Sequence, residues 1–363
     1  QVLRQNGFST SAITGGTLVS YLYGFSRGFD TYKEGDGAMD YNNSAELVAR
    51  SAAEWIENNK DNDFFLFLHT YQVHTPYDAP SPYGAMFLDP DAVWKRAHTT
   101  ELFAGKKSIF KELPDAERRN MIGLYDAEIR YTDEALLKPL VEKLKALGLY
   151  DDTMIIFTSD HGEEFFEHGS WDHGVHLYDE SIRVPLVIKF PKSRFQGRRV
   201  EAVVRGVDIM PTVLEEMEIE TGRLKLDGQS LLSLLRGREK DRRFLADTLL
   251  LGLGESSAQG QKDDPFRIAA NEGWNKIILN RELDPKEKEY FIPPPPDKPA
   301  AELYDLDADP GEKTELSTRN AELANRLAIE LRNRYAAGRK TRANKADLSK
   351  EMVERLRALG YIR

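Results

Sequence analysis

Asp160-His161-Gly162 stands just past the apolar run Thr153-Met154-Ile155-Ile156-Phe157. That run reads as a buried strand. Asp160 and His161 then sit beyond its carboxyl end, where ligands bind in open α/β sheets. A carboxylate oxygen and an imidazole nitrogen side by side can face one divalent cation. Gly162 removes side-chain bulk where backbone passes close to such an ion or its substrate.

Two further segments carry histidine. His69-Thr70-Tyr71-Gln72-Val73-His74-Thr75-Pro76-Tyr77 follows the apolar run Phe64–Leu68. On that motif alone, a loop histidine capping a turn before Pro76 is the better reading. Two strand ends that both carry histidine reverse the preference. His74 is then expected in the same crevice as Asp160, donating to an anionic substrate, while His69 still lies on its strand and is read as structural. In Glu167–His176, three histidines fall within nine residues but lack a helical His-x-x-x-His spacing. Solvent exposure or a loop hydrogen bond is the default for each. His173 is the candidate, because Gly174 follows it and Trp171 can anchor the loop. The carboxylates of Leu303–Glu312 lack the spacing and terminal Glu of an EF-hand, so a strand end leading into a turn is expected there.

The elements that must position these groups alternate between strand and helix up to about residue 220. Ser9–Thr14 reads as a strand after a helix end at Asn6-Gly7. A helix is expected over Asn43–Asn58, capped by Asn43 and Glu46. Phe64–Leu68 is continuously apolar, as in a strand covered on both faces. Pro80–Pro114 has no clean period and reads as an insertion. Asp115–Leu147 is amphipathic, with Pro139 kinking it or starting a second helix. Val184–Phe190 is a further strand, and Asp208–Met217 a helix entered through Pro211. Beyond residue 240, Phe266–Ala270 and Trp274–Leu279 flank a hairpin turn, Pro293–Pro296 is stiff and extended, and the last forty residues are charged and helical. These patterns divide the chain into a core over 1–240 and a C-terminal subdomain over 241–363 with a small antiparallel sheet and terminal helices.

Composition narrows the function classes. The 363 residues are 40% hydrophobic and 30% charged, ordinary for a globular chain. A net charge of −10 argues against nucleic acid as the main partner. No apolar run is long enough for a transmembrane helix. There are no cysteines, so disulfides, thiolate metal sites and a cysteine nucleophile are excluded within these residues.

The order and spacing of several short motifs resemble the sulfatases of the alkaline phosphatase superfamily. They are Gly24-Phe25 with Arg27-Gly28-Phe29-Asp30, Phe64–Tyr77, Thr158–Gly162, Tyr178 with Arg183-Val184-Pro185-Leu186, Val207–Thr212, Glu302–Glu312 and Leu356–Tyr361. The resemblance implies an α/β fold: a large mixed, mostly parallel sheet sandwiched by helices, with a smaller C-terminal α+β subdomain. It makes Asp160 and His161 metal ligands, with Ca2+ the first choice and Mn2+ the second. Many sulfatases carry Asn where His161 stands. His74 matches a histidine that contacts the sulfate group, and His173 falls where many members have a lysine with that role.

The family nucleophile is a formylglycine made within Cys/Ser-x-Pro-x-Arg, and neither that motif nor the family's paired aspartates occurs here. Both are expected in a segment upstream of Gln1, and the chain as given is expected to be inactive without it. The implied function is hydrolysis of a sulfate ester on a small molecule or glycan, in a periplasmic or secreted setting. The alternatives are a phosphodiesterase or phosphonate monoester hydrolase of the same superfamily, or a non-catalytic binding module.

Overall fold

The computed structural model describes residues 1–16, 19–35, 44–91, 113–174, 176–222, 224–239, 245–250, 267–280 and 298–339. The chain forms two compact units. The first is Gln1–Phe157 with Gly169–Asp172 and Leu186–Gln196; the second is Thr158–His168 with His173–Pro185 and Gly197–Arg363. Asn43, most of the insertion before Pro114, Pro293–Pro296 and the terminal segment with Met352, Leu356 and Leu359 lie outside the described residues.

In the first unit, β1 (Ser9–Thr14) runs between β2 (Thr31–Glu34) and β3 (Phe64–Leu68), parallel to both. Gly7, at φ +90°, turns the short opening helix into β1. Parallel strands need a crossover. Strands β2 and β3 flank β1 in the sheet, and between them in the chain lies α1 (Ser44–Asn59). Its residues Ala45, Val48, Ala49, Ala52 and Ile56 recur at helical spacing and pack with Ile13, Leu136, Leu140 and Leu144. Ile56 is 2% exposed, so Ile56→Ala would cost about 2–5 kcal/mol.

The long amphipathic segment is helix α2 (Asp115–Thr132), a π turn at Asp133–Leu137, and helix α3 (Lys138–Ala146). Pro139 falls in the first turn of α3, directly after the π turn. β4 (Ile155–Thr158) lies beside β5 (Leu186–Lys189). Parallel strands with covering helices bear out the α/β expectation. The expectation that Phe64–Leu68 is covered on both faces does not hold among the described residues, because Phe67 is 41% exposed.

The second unit contains a four-stranded antiparallel sheet in the order β9-β8-β7-β6. Its strands are β6 (Leu245–Leu250), β7 (Arg267–Glu272), β8 (Asn275–Asn280) and β9 (Ala301–Asp305). Glu272 pairs with Asn275 across a two-residue turn whose Gly273 has φ +56°. Such hairpin turns need a positive φ, which glycine adopts without strain. Side chains alternate along β8. Ile277 and Leu279 pack with Ala324, Leu327, Ala328 and Leu331 of the last helix, Ala321–Arg339. Ile278 faces the other way, onto Leu177, Tyr178, Tyr304 and Leu306. Lys276 shares that second face, and its charge is buried.

Candidate active site

Asp160 and His161 follow the end of β4 by two and three residues. Asp160 Oδ1 accepts the His161 backbone N–H at 3.1 Å. His161 Nδ1 lies 2.9 Å from the Gly162 carbonyl. A carbonyl only accepts, so Nδ1 carries the hydrogen, and in the neutral ring Nε2 then holds the lone pair. That Nε2 is 3.9 Å from Asp160 Oδ1. Two ligand atoms each about 2.0–2.5 Å from one ion can be that far apart. The pair therefore fits a divalent cation in spacing and in tautomer.

Gly162 packs against backbone. Its N–H donates to the Ser181 carbonyl at 2.8 Å. A Cβ built on it would stand 2.0 Å from the Glu180 carbonyl oxygen. The glycine thus admits the backbone of the one-turn helix Asp179–Ile182.

The His173 ring stacks on His161, with centroids 3.9 Å apart and planes at 24°. His173 Nδ1 donates to Glu163 Oε1 at 3.2 Å. Asp160, His161 and His173 all belong to the second unit, and the stack brings His161 and His173 together. Sequence reasoning passed over Glu163, although it directly follows Gly162. This carboxylate is 8% exposed and orients the His173 ring.

The other two histidines of the segment serve the scaffold. His176 Nδ1 contacts Glu164 Oε2 at 2.9 Å, and Ser181 Oγ donates to Glu164 Oε1 at 2.8 Å. His168 faces acceptors with both nitrogens, Nδ1 towards Glu180 Oε1 at 2.5 Å and Nε2 towards the Glu312 carbonyl at 3.0 Å. Burial pushes the Glu180 carboxyl up, but the hydrogen bond and charge of His168, with the charge of Lys276, outweigh it and hold the group below the usual range.

A buried ionic cluster lies next to this segment. Lys276 Nζ reaches Asp179 Oδ1 and Glu312 Oε1, both at 2.8 Å, and the Lys276 and Glu312 side chains are fully buried. Glu312 Oε2 accepts the Asp179 N–H at 2.5 Å. Burial nonetheless raises the Glu312 carboxyl, against the pull of Lys276. Tyr178 and Tyr304 both donate to Glu302 Oε2, at 2.8 and 2.6 Å. Leu303–Glu312 is thus more than a strand end and turn, since its last residue anchors the helix that packs on Gly162.

His74 belongs to the first unit. Its Nδ1 donates to the Thr75 carbonyl at 2.7 Å and its backbone N–H to the Tyr71 carbonyl at 2.8 Å. The ring meets Tyr71 edge-on at 5.7 Å, and His69 meets the same Tyr71 at 4.6 Å.

The structure of a phosphonate monoester hydrolase of Agrobacterium radiobacter superposes with a TM-score of 0.68 at 20% identity, over 93% of this chain and 79% of that one. The family model for sulfatases matches residues 1–219, and the chain belongs to the sulfatase family. Two curated relatives match it in part. One is the multifunctional alkaline phosphatase superfamily protein PehA of Trinickia caryophylli, 33% identical over 52% of this chain and 41% of its own length. The other is arylsulfatase K of Gallus gallus, 28% identical over 79% of this chain and 54% of its own length. The chain spans about half the length of the curated relatives it matches. Sulfatases are hydrolases that generally use a divalent metal. Among the described residues, no helix is long and apolar enough to cross a membrane.

Proposed function

We propose that the protein hydrolyses a sulfate ester, on a small molecule or a glycan, with Asp160 and His161 holding a divalent cation. The observation that carries this reading is the placement of the His161 ring between the Gly162 carbonyl and Asp160. Its Nδ1–H is committed to the Gly162 carbonyl, and in the neutral ring Nε2 is presented as a lone pair beside Asp160 Oδ1. Ca2+ suits a site completed by further carboxylates, and Mn2+ is the second choice. When bound, such an ion supplies Lewis-acid polarisation of the ester oxygens and of a nucleophile.

The remaining steps belong to the side chains. His173, oriented by Glu163, contacts the ester on its leaving side and gives up a proton there as general acid. His74 donates to a non-bridging oxygen and offsets the charge that develops on the group. The nucleophile in this reading is a formylglycine in the whole protein, as in the family the chain resembles. A second reading, hydrolysis of a phosphate diester or phosphonate monoester, draws support from the 33% identical relative described as multifunctional.

The test is metal content together with turnover in the full-length protein. Asp160→Ala is expected to lose the ion, by elemental analysis, and aryl sulfate hydrolysis together. Full metal occupancy in that variant would remove Asp160 from the ligand set. A protein with no turnover of sulfate, diester or phosphonate would be a binding module instead.

A further inference from the structure

We propose that Glu128 is a positioning residue for His74, clamping both shoulders of the loop that carries it. This inference rests on the reading of His74 as a substrate contact. Glu128 sits on α2 and is 1% exposed. Its Oε2 accepts from Gln72 Nε2 at 2.9 Å, and its Oε1 accepts the Asp78 N–H at 2.7 Å. One carboxyl group thus ties down the chain two residues before His74 and four residues after it.

The clamp is itself anchored. Gln72 Oε1 accepts the Ala45 N–H, an otherwise open donor in the first turn of α1, at 3.3 Å. Thr70 Oγ1 accepts the Gln72 N–H at 3.1 Å and lies 2.6 Å from Ser44 Oγ. Tyr77, fully buried, meets Tyr125 of α2 edge-on at 5.5 Å. Between these fixed points, the His74 ring direction follows from the loop. A misplacement of about 1 Å in such a group can cost 10²-fold in rate.

The clamp is also sensitive to pH. Burial pushes the Glu128 carboxyl up to about 7, against the hydrogen bonds from Gln72 and Asp78, and the Asp78 carboxylate adds to the rise. Tyr131 is the other titratable group it influences on its own helix, and Tyr131 is bonded in turn to Glu46 of α1. A raised folded value means that this group's contribution to stability is full below the unfolded value near 4.5. It is lost as pH rises through about 7. Above that point the two neutral donors must hold a buried, desolvated carboxylate.

The experiment uses the full-length protein with Glu128→Ala, Glu128→Gln, His74→Ala and the double variant Glu128→Ala/His74→Ala. Hydrogen exchange at the Asp78 amide is followed against amides of α1 between pH 6 and 8. Glu128→Ala is expected to speed Asp78 exchange about 10-fold or more and to lower kcat/KM about 10²-fold. Glu128→Gln keeps one acceptor, loses less, and removes the change in Asp78 protection near pH 7. If Glu128 acts through His74, the double variant is no slower than His74→Ala. Additive losses would overturn the proposal, as would unchanged Asp78 exchange in both Glu128 variants. A wild-type kcat/KM in His74→Ala overturns the reading of His74 instead, and the exchange data tell the two failures apart.

Discussion

Replacing Lys276 by Met should unlock the segment that packs on Gly162. The Lys276 ammonium is fully buried and is shared by Asp179 and Glu312 at 2.8 Å each. Met keeps most of the stem and removes the charge, which strands a fully buried carboxyl beside one that is 15% exposed. Breaking a buried ion pair from one side costs about 3–5 kcal/mol. For a unit of this size that corresponds to about 6–20 °C in Tm. The sign with pH follows from Glu312, whose carboxyl already lies above its ordinary value through burial. Without Lys276 it rises further, so folding takes up a proton and stability falls as pH climbs through the raised value. Calorimetry should therefore show a larger loss at pH 7.5 than at pH 5. Glu312→Gln in the Lys276→Met background should recover about 2 kcal/mol, because the stranded charge is gone. A Tm within 2 °C of wild type, on the scale of about 2–4 °C per kcal/mol, or equal losses at the two pH values, would refute the reasoning.

Other outcomes follow from the same contacts. Gly162→Ala places a methyl group 2.0 Å from the Glu180 carbonyl; hydrogen exchange at residues 160–163 should rise and kcat/KM should fall about 10-fold or more, and wild-type values for both would mean the loop yields freely. His173→Ala should lose about 10²-fold or more in kcat/KM, the scale of an acid–base group, and Glu163→Gln should lose less, since the amide can still accept from Nδ1. An unaltered pH–rate profile in His173→Ala would leave that residue a loop contact only.

The sheet was legible in part, because Phe64–Leu68 is an apolar run and glycines bound Ser9–Thr14, whereas the polar strand Thr31–Glu34 carries neither mark. Ser9–Thr14, Phe64–Leu68 and the hairpin around Gly273 fall where the pattern puts them. Pro139 marked the irregularity between α2 and α3, but the π turn before it left no signature in the apolar spacing. The Asp160-His161 pair could be read because both groups lie on one short loop. Glu163, Glu128 and the Lys276–Glu312 pair could not. Their partners are distant in sequence, as with Gln72 and Glu128 or Asp179 and Glu312. A charged residue inside an apolar strand, such as Lys276 before Ile277-Ile278-Leu279 or Glu302 before Leu303-Tyr304, is the one local sign of such a network. Burying an ion is tolerated only when it is paired.

The most direct test of the central claim is a comparison of kcat/KM for a matched aryl sulfate and bis-aryl phosphate, measured on the full-length protein with its metal content known. A preference for the sulfate ester of at least 10-fold, about 1.4 kcal/mol, is expected, abolished with the metal in Asp160→Ala. A preference of that size for the phosphate diester would contradict the account and make the protein a phosphodiesterase on the same scaffold.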